Sequence, residues 1–381
     1  MLLSTNNISN SDDILNVVKQ NSLKTGCYKP NELCCYGYSE IVRYFEGTYK
    51  EAKISKDSKQ KQIGYPLDST VVCTALRKKY KLDPTIRLYP VFYETVEIFA
   101  QFPDLGKKNT RWLFLNDVYG MSALASKVVK RLNKRKKFDV VLTYVDTIQL
   151  KIIEELDKLS TTYLSPIDQV SSDEIYEKSC IAQINNKDPK HGYDLILIQN
   201  YLSAQVDASD EYNSMMSFLS KVNSMIGLQA KGGSCVLKIN SIYLNLTVKI
   251  IKFISICYDE VFLHKCTYTQ TLVDENYLIL RGFRFSFNDN NKDEVMTNIQ
   301  DLITRIQNMS KKEKILDLFE RIEIDEETKQ KLFCFNTKTN EDKIQSMINT
   351  IRFDANKESC ILDEDMITKK LETKLYLEKL K

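Results

Sequence analysis

The segment that most constrains the fold of this chain runs from Lys231 to Arg284. It opens with Lys231-Gly232-Gly233, which predicts a tight turn because glycine reaches the positive φ angles that such turns need. The apolar residues that follow predict a buried strand from Ser234 to Ile239. Lys238 interrupts that run at the carboxyl end of the strand, where open parallel sheets bind ligands. Lys238 is therefore either a surface lysine whose charged end reaches water or a functional ammonium group.

Two more strands are predicted after this one, from Asp259 to Leu263 and from Tyr277 to Leu280. Glu275 lies just before the second of them. A lysine that ends one strand and a carboxylate that opens a neighbouring strand can meet at one edge of a sheet. The sequence therefore predicts that the side chains of Lys238 and Glu275 converge. The short connection before Tyr277 also indicates that the last strand is antiparallel.

Upstream of this segment, predicted strands and helices alternate. An amphipathic helix is expected from Leu88 to Phe102 because its apolar residues recur with helical spacing. The alternation predicts an α/β fold: a Rossmann-like, doubly wound, mostly parallel sheet of seven strands with an antiparallel last strand. The predicted strands are Trp112 to Leu115, Phe138 to Tyr144 and Asp194 to Ile198, and the predicted helices between strands are Ser122 to Leu132 and Met215 to Ile226.

The chain divides by composition into three predicted regions. Residues 1–85 are a polar N-terminal extension, residues 86–290 the α/β domain, and residues 291–381 a charged helical C-terminal region. The net charge of +3 excludes a polycation, so a nucleic-acid surface would need local clusters of basic residues. The ten cysteines are scattered, as in a reduced cytoplasmic protein, and the two histidines are too far apart to predict a metal site. The sequence predicts no signal peptide and no membrane span.

Several of these residues also form recognisable motifs. The chain resembles the FtsJ-like family of ribose 2′-O-methyltransferases, which includes viral mRNA cap methyltransferases and carries GGxxVLK followed by KPxxSRxxxSExYxVxxGF[KR]. The family's Pro is replaced by Cys266 and its Ser-Arg pair by Thr269-Gln270. The matching positions are Gly232, Gly233, Val236, Leu237, Lys238, Lys265, Glu275, Tyr277, Gly282, Phe283 and Arg284.

The resemblance implies S-adenosylmethionine as cofactor and a Lys-Asp-Lys-Glu tetrad as catalytic group. Lys238 matches the central lysine, which the family uses as proton acceptor, and Glu275 matches the glutamate. Gln199 stands where the family has aspartate, so an amide replaces a charge. The tetrad's first lysine is expected before Trp112. Its candidates are Lys78, Lys79 and Lys81, of which Lys79 is assigned to the catalytic set.

The family's glycine-rich cofactor loop corresponds to residues 115–122, of which only Gly120 is glycine. We expect Asn116, Asp117 and Gly120 to contact the cofactor, and Tyr119 and Met121 to narrow the approach to it. Asp146 follows the second predicted strand. It is either a contact for the hydroxyl groups of the cofactor ribose or a turn residue at a strand end.

Two basic clusters predict an RNA surface. Lys127 and the basic residues after it have helical spacing, so they form one stripe. The other cluster places Tyr80 among cations, which suits contact with phosphates together with base stacking. The alternative for the stripe is the solvated outer face of a helix. The residues assigned to RNA binding are Arg77, Lys78, Lys81, Lys130, Arg131 and Lys134.

Two functions compete. The first is an S-adenosylmethionine-dependent methyltransferase acting on the ribose 2′-hydroxyl of viral capped mRNA, in the host cytoplasm or the virion. The second is a catalytically inactive subunit with the same fold that binds RNA or stimulates a partner capping enzyme, as the poxvirus capping-enzyme small subunits illustrate. Lys238 and Glu275 favour the first, whereas Gln199 and the single glycine in the loop favour the second. An antiparallel last strand argues against another class of Rossmann nucleotide-binding protein.

Overall fold

A computed structural model of the chain describes the α/β region and most of the C-terminal helices. All statements about fold and contacts below refer to these residues. They are residues 88–105, 111–117, 120–132, 139–142, 192–199, 208–266, 274–286, 290–309, 314–319 and 321–356, with 1–3, 24–26 and a few single positions.

The described residues alternate between strands and helices, as the hydrophobic periodicity predicts. The strands are β1 (Leu2–Leu3), β2 (Lys24–Gly26), β3 (Arg111–Leu115), β4 (Asp139–Leu142), β5 (Tyr193–Ile198), β6 (Gln229–Ile239), β7 (Tyr258–His264), β8 (Asn276–Phe283) and β9 (Lys314–Asp317). The helices are α1 (Pro90–Gln101), α2 (Met121–Leu132), α3 (Ala208–Leu228), α4 (Asn245–Cys257), α5 (Asn290–Gln307) and α6 (Glu326–Asn356).

One large sheet has the strand order β1-β7-β8-β6-β5-β3-β4, and β2 pairs separately with β9. The pairs β3–β4, β3–β5 and β5–β6 are parallel, whereas β8 is antiparallel to both β6 and β7. The mixed, Rossmann-like α/β sheet and the antiparallel β8 agree with the prediction. The mostly parallel, seven-stranded form is not confirmed. The seventh strand is the two-residue β1 from the predicted N-terminal extension, and it is antiparallel to β7.

Each face of the sheet packs against its own helices, because successive residues of a strand point to opposite faces. Leu113, Ile196 and Leu237 lie in the core cluster that contains residues of α3, α4 and α5. Phe114 and Val236 lie in the second cluster, with residues of α1 and α2. Lys238 follows Leu237 and therefore faces α1. This alternation decides which helix supplies the partners of the lysine.

The predicted turn at Lys231-Gly232-Gly233 is wrong, because these residues lie inside β6. Their extra length is absorbed by a shift in the pairing of β5 with β6, between the pairs Tyr193–Gln229 and Leu195–Ser234. Gly232 has a φ of 75°, which favours glycine. A Cβ on Gly233 would lie only 2.8 Å from the backbone oxygen of Ala230. The glycine pair thus permits a bulge rather than a turn.

The C-terminal helices contribute directly to the main core. Val295, Ile299, Leu302 and Ile303 of α5 are buried in the same cluster as α3 and α4. Helix α6 reaches the sheet edge through buried polar side chains that are described below. Within the described part of the chain, no helix has the length and apolar character needed to cross a membrane.

Candidate functional site

Lys238 lies between two carboxylates at the carboxyl end of β6. Its Nζ is 2.7 Å from Glu275 Oε2 and 3.2 Å from Glu94 Oε2. Glu275 precedes β8, the neighbour of β6, so the predicted convergence of Lys238 and Glu275 is present. Glu94 comes from α1, which covers this face of the sheet. The lysine and Glu94 are almost completely buried, and 18% of the Glu275 side chain is exposed.

The electrostatics of Lys238 differ from what the resemblance implied. Burial by itself lowers the pKa of Lys238, but the negative charges and hydrogen bonds of Glu275 and Glu94 outweigh burial and raise this pKa above its ordinary value. The ammonium group therefore keeps its proton at neutral pH. This direction is the opposite of what a proton acceptor needs at neutral pH, whereas the resemblance implied that Lys238 acts as one.

A neighbouring lysine shows the opposite shift. Burial lowers the pKa of Lys265 to about 8, although the carboxylates of Asp274 and Glu275 act in the opposite direction. The Nζ of Lys265 donates a hydrogen bond to the main-chain oxygen of Glu275 at 2.7 Å. Lys265 therefore helps to fix the segment that carries Glu275.

Buried hydrogen bonds connect Glu94 to the candidate cofactor loop. The hydroxyl of Tyr277 donates to Glu94 Oε2 at 2.5 Å and lies 3.3 Å from Gln199 Oε1. The amide nitrogen of Gln199 donates to Ser122 Oγ at 3.0 Å. Gln199, at the end of β5, is buried and belongs to this network. It orients neighbours through hydrogen bonds, without a charge.

The candidate cofactor loop follows β3 and contains Asn116, Asp117 and Gly120. Asn116 and Gly120 have φ angles of 52° and 71°, so the chain turns sharply there. Both carboxylate oxygens of Asp117 accept hydrogen bonds from helix α2, from the N–H of Ser122 at 2.8 Å and of Ala123 at 3.0 Å. Asp117 therefore caps α2. Burial raises its pKa to about 6, and these hydrogen bonds limit the rise.

This loop lies where the order of the strands reverses. The chain passes from β3 to β4 on one side and later enters β5 on the other side of β3. Open α/β sheets bind ligands in the crevice at such a switch point. Met121 is fully buried in the core cluster of α1 and α2, so its side chain does not narrow the loop, contrary to expectation. Tyr119 lies outside the described residues.

Helix α6 holds the two segments that carry Lys238 and Glu275. The Nζ of Lys343 is 2.6 Å from Asp274 Oδ2, next to Glu275. After β6, the hydroxyl of Tyr243 donates to Asn340 Oδ1 at 2.6 Å. Asn340 and Lys343 are almost completely buried. These contacts make α6 part of the wall of the site.

The two predicted basic clusters, Lys79 and Asp146 lie mostly outside the part of the chain that the structure describes. Lys127, the first residue of the predicted basic stripe, is fully buried, so it cannot contribute to an RNA surface. The side chains of Lys79, Asp146, Arg77, Lys78, Lys81, Lys130, Arg131 and Lys134 lie outside the described residues.

Glu94 is the principal residue that the sequence analysis missed. It lies on α1, before Trp112, where the first lysine of the tetrad was expected. The resemblance implied a lysine in this part of the chain and gave no reason to select a glutamate. The usable signal was an acidic residue in a predicted helix that is otherwise mostly apolar, since buried carboxylates need a partner.

Comparisons with known proteins give only distant similarities. No known family matches the sequence, and no curated protein matches it. Among solved structures, the chain is similar to a protein assigned as a ribosomal RNA methyltransferase from Plasmodium falciparum. The two share 16% identity over 52% of this chain and 98% of the other, with a TM-score of 0.39.

Two further solved structures belong to the same broad class. One is assigned as a class I S-adenosylmethionine-dependent methyltransferase of Listeria monocytogenes, with 12% identity, coverage of 78% and 98%, and a TM-score of 0.35. The other is human methyltransferase-like protein 13 in complex with SAH, with 12% identity, coverage of 57% and 93%, and a TM-score of 0.30. Similarities this low do not assign the chain to a family, so its function must be inferred from its own residues.

Proposed function

We propose that the α/β domain is an S-adenosylmethionine-dependent methyltransferase that modifies a ribose 2′-hydroxyl of RNA. The observation that carries this proposal is the buried ion pair of Lys238 with Glu275, next to the switch point of the sheet. The loop after β3 fits a cofactor there. Gly120 lets its backbone approach a ligand closely, and Met121 points into the core.

The charges of the site determine how its residues would act. Bound S-adenosylmethionine would supply a methyl group on a positively charged sulfur. As the ribose oxygen takes the methyl group, it must lose its proton. We assign that proton to the carboxylate of Glu275, because Lys238 is already protonated and Glu275 is more exposed than Glu94. The ammonium of Lys238 would stabilise the negative charge that develops on the oxygen, and Glu94 would hold the lysine in position.

The proposed substrate is capped viral mRNA, bound by Arg77, Lys78, Lys81, Lys130, Arg131 and Lys134. This part of the proposal rests on the family resemblance and on the spacing of those residues. The burial of Lys127 removes one cation from the predicted stripe. The cytoplasm or virion as the site of action rests on the same resemblance.

A second candidate function is an inactive subunit that binds RNA or stimulates a partner capping enzyme. The observation that favours it is the composition of the site. Gln199 stands where the resemblance implies an aspartate, so the described part of the site lacks that carboxylate, and a second glutamate, Glu94, lies beside Lys238. Such a site would be retained if its role were to stabilise the fold.

Measurements of cofactor binding and of methyl transfer distinguish the two functions. Purified chain would be titrated calorimetrically with S-adenosylmethionine and assayed for transfer of labelled methyl to capped RNA. The enzyme is expected to bind the cofactor saturably, and Glu275→Gln is expected to lower transfer by at least about 100-fold. Glu326→Gln, at an exposed position on α6, is the matched control and should retain transfer.

Gln199→Asp provides an independent test of the same choice. In an active site, the restored carboxylate should raise transfer, because it adds the negative charge that the family's aspartate supplies beside the ammonium of Lys238. In an inactive subunit, neither the wild type nor this variant should bind cofactor. Methyl transfer by the wild-type chain alone would rule out the subunit. A folded chain that neither binds the cofactor nor transfers methyl would rule out the enzyme.

A further inference from the structure

Three side chains with metal-binding atoms meet on the α1 face of the sheet. Glu97 lies on α1, His264 is the last residue of β7, and Cys266 follows two residues later. One ligand atom from each side chain lies within 4.8 Å of the other two. The closest described contact joins His264 Nε2 and Glu97 Oε1 at 3.5 Å. None of the three residues has a role in the proposed methyl transfer.

The backbone places these side chains together without strain. His264 ends β7 and Cys266 follows two residues later, and the ligand atoms of both lie near Glu97. Glu97 is three residues after Glu94 and lies on the same face of α1, one turn along the helix. The helix is held over the sheet by the stacked rings of Phe99 and Trp112, 5.4 Å apart. The ligand atoms are thus arranged by packing before any ion binds.

The cluster is buried and contains groups that a cation would satisfy. Glu97 and Cys266 are each 2% exposed. Among the described residues, Nε2 of His264 is a buried nitrogen with no hydrogen-bond partner, which is costly in a protein interior. Burial, together with the charges of Glu97 and Glu94, raises the pKa of the Cys266 thiol well above its ordinary value.

We propose that Glu97, His264 and Cys266 form a binding site for a divalent transition-metal ion, with zinc as the best fit. Zinc accepts carboxylate oxygen, imidazole nitrogen and thiolate sulfur together. One thiolate, one carboxylate and a neutral imidazole around a doubly charged ion give a cluster with no net charge, which suits a buried position. Zinc–ligand bonds of about 2.0–2.3 Å require the ligand atoms to close by about 1 Å.

Such an ion would fasten α1 to the segment after β7. Helix α1 carries Glu94, and that segment carries Lys265, which donates to the main-chain oxygen of Glu275. The ion would therefore stabilise both partners of Lys238 from outside the site. This role does not depend on whether the domain transfers methyl groups. The three protein ligands leave a fourth coordination position for water.

The test uses the full chain, stripped with EDTA and kept reduced with a phosphine. Zinc would be titrated by calorimetry, and cobalt would be added as a spectroscopic probe. We expect about one zinc ion per chain and a sulfur-to-cobalt charge-transfer band. Cys266→Ser should abolish the band, and Glu97→Gln should weaken zinc binding by at least about 10-fold. Cys334→Ser, which removes an exposed thiol on α6, is the matched control and should change neither.

Thermal unfolding gives a second measurement on the same proteins. Zinc should raise the Tm of the wild type and of Cys334→Ser, and raise that of Glu97→Gln by less, because an ion that binds only the folded state stabilises it in proportion to its affinity. The proposal is overturned if the stripped wild type binds no zinc, or if Cys266→Ser keeps the charge-transfer band. If Cys266→Ser does not fold, zinc affinity in Glu97→Gln equal to that of the wild type overturns it instead.

Discussion

Replacing Lys238 by methionine tests the electrostatic account of the site directly. Methionine fills a similar volume, so the change removes the ammonium group and leaves little cavity. Glu94 and Glu275 then lose the cation that lies 3.2 Å and 2.7 Å from them. Only 2% of the Glu94 side chain is exposed, so water cannot replace the lost partner.

The expected loss follows from this burial. Breaking a buried ion pair by removing one partner costs about 3–5 kcal/mol, because an uncompensated charge remains in the interior. We therefore expect Lys238→Met to lower the free energy of unfolding by about 3–5 kcal/mol at pH 8. At pH 5 the loss should be smaller, because a buried carboxylate can take up a proton and avoid the cost.

Urea unfolding followed by circular dichroism at both pH values would measure this. Lys329→Met is the surface control. Its ion pair with Glu326 is exposed, so it should lose no more than about 1 kcal/mol at either pH. The double variant Lys238→Met with Glu94→Gln replaces both buried charges by neutral groups. It should recover part of the lost stability, with a coupling energy of about 0.5–3 kcal/mol.

Two results would refute the reasoning. A loss below about 1 kcal/mol for Lys238→Met would mean that the lysine does not compensate a buried charge. A loss that is the same at pH 5 and pH 8, with no recovery in the double variant, would point to altered packing instead. Either result would also remove the reason for keeping Lys238 protonated in the proposed reaction.

Three further predictions concern neighbouring positions. Burial raises the pKa of Asp117 to about 6. The carboxyl group therefore adds to the free energy of unfolding below about pH 4, where it is protonated, and this stabilisation is lost as the pH rises through 6. Between pH 4 and pH 8, the free energy of unfolding of Asp117→Asn should rise by up to about 3 kcal/mol relative to that of the wild type. A difference between the two proteins that does not change with pH would contradict the raised pKa. Lys343→Met should lower the free energy of unfolding in urea by about 3–5 kcal/mol, because the ion pair of Lys343 with Asp274 is buried. It should also increase amide hydrogen exchange around Asp274, and unchanged exchange would show that α6 does not hold this segment. Gly233→Ala should lower the free energy of unfolding by about 1–3 kcal/mol, because the added Cβ would contact the backbone oxygens of Ala230 and Asp194 too closely. An unchanged free energy of unfolding would show that the bulge in β6 can relax.

The sequence by itself determined most of the elements of the α/β domain. Hydrophobic periodicity located α1, β3, α2, β5 and β8 to within a few residues, because each buries one face or both faces of regular backbone. It also predicted that Lys238 and Glu275 meet, since both lie at the same edge of neighbouring strands. It misread Lys231–Gly233 as a turn, because glycine pairs suit bulges as well as turns.

Tertiary packing decided what surrounds those residues. The residues around Glu94 and Glu97 do not indicate that their helix lies over β6 and the end of β7. Tertiary packing alone therefore brings Glu94 to Lys238, and Glu97 to His264 and Cys266. The pKa of Lys238 follows the same rule. In the unfolded chain, a lysine has its ordinary pKa. In the folded protein, burial and the charges of Glu94 and Glu275, which come from distant segments, set the direction in which the pKa of Lys238 shifts.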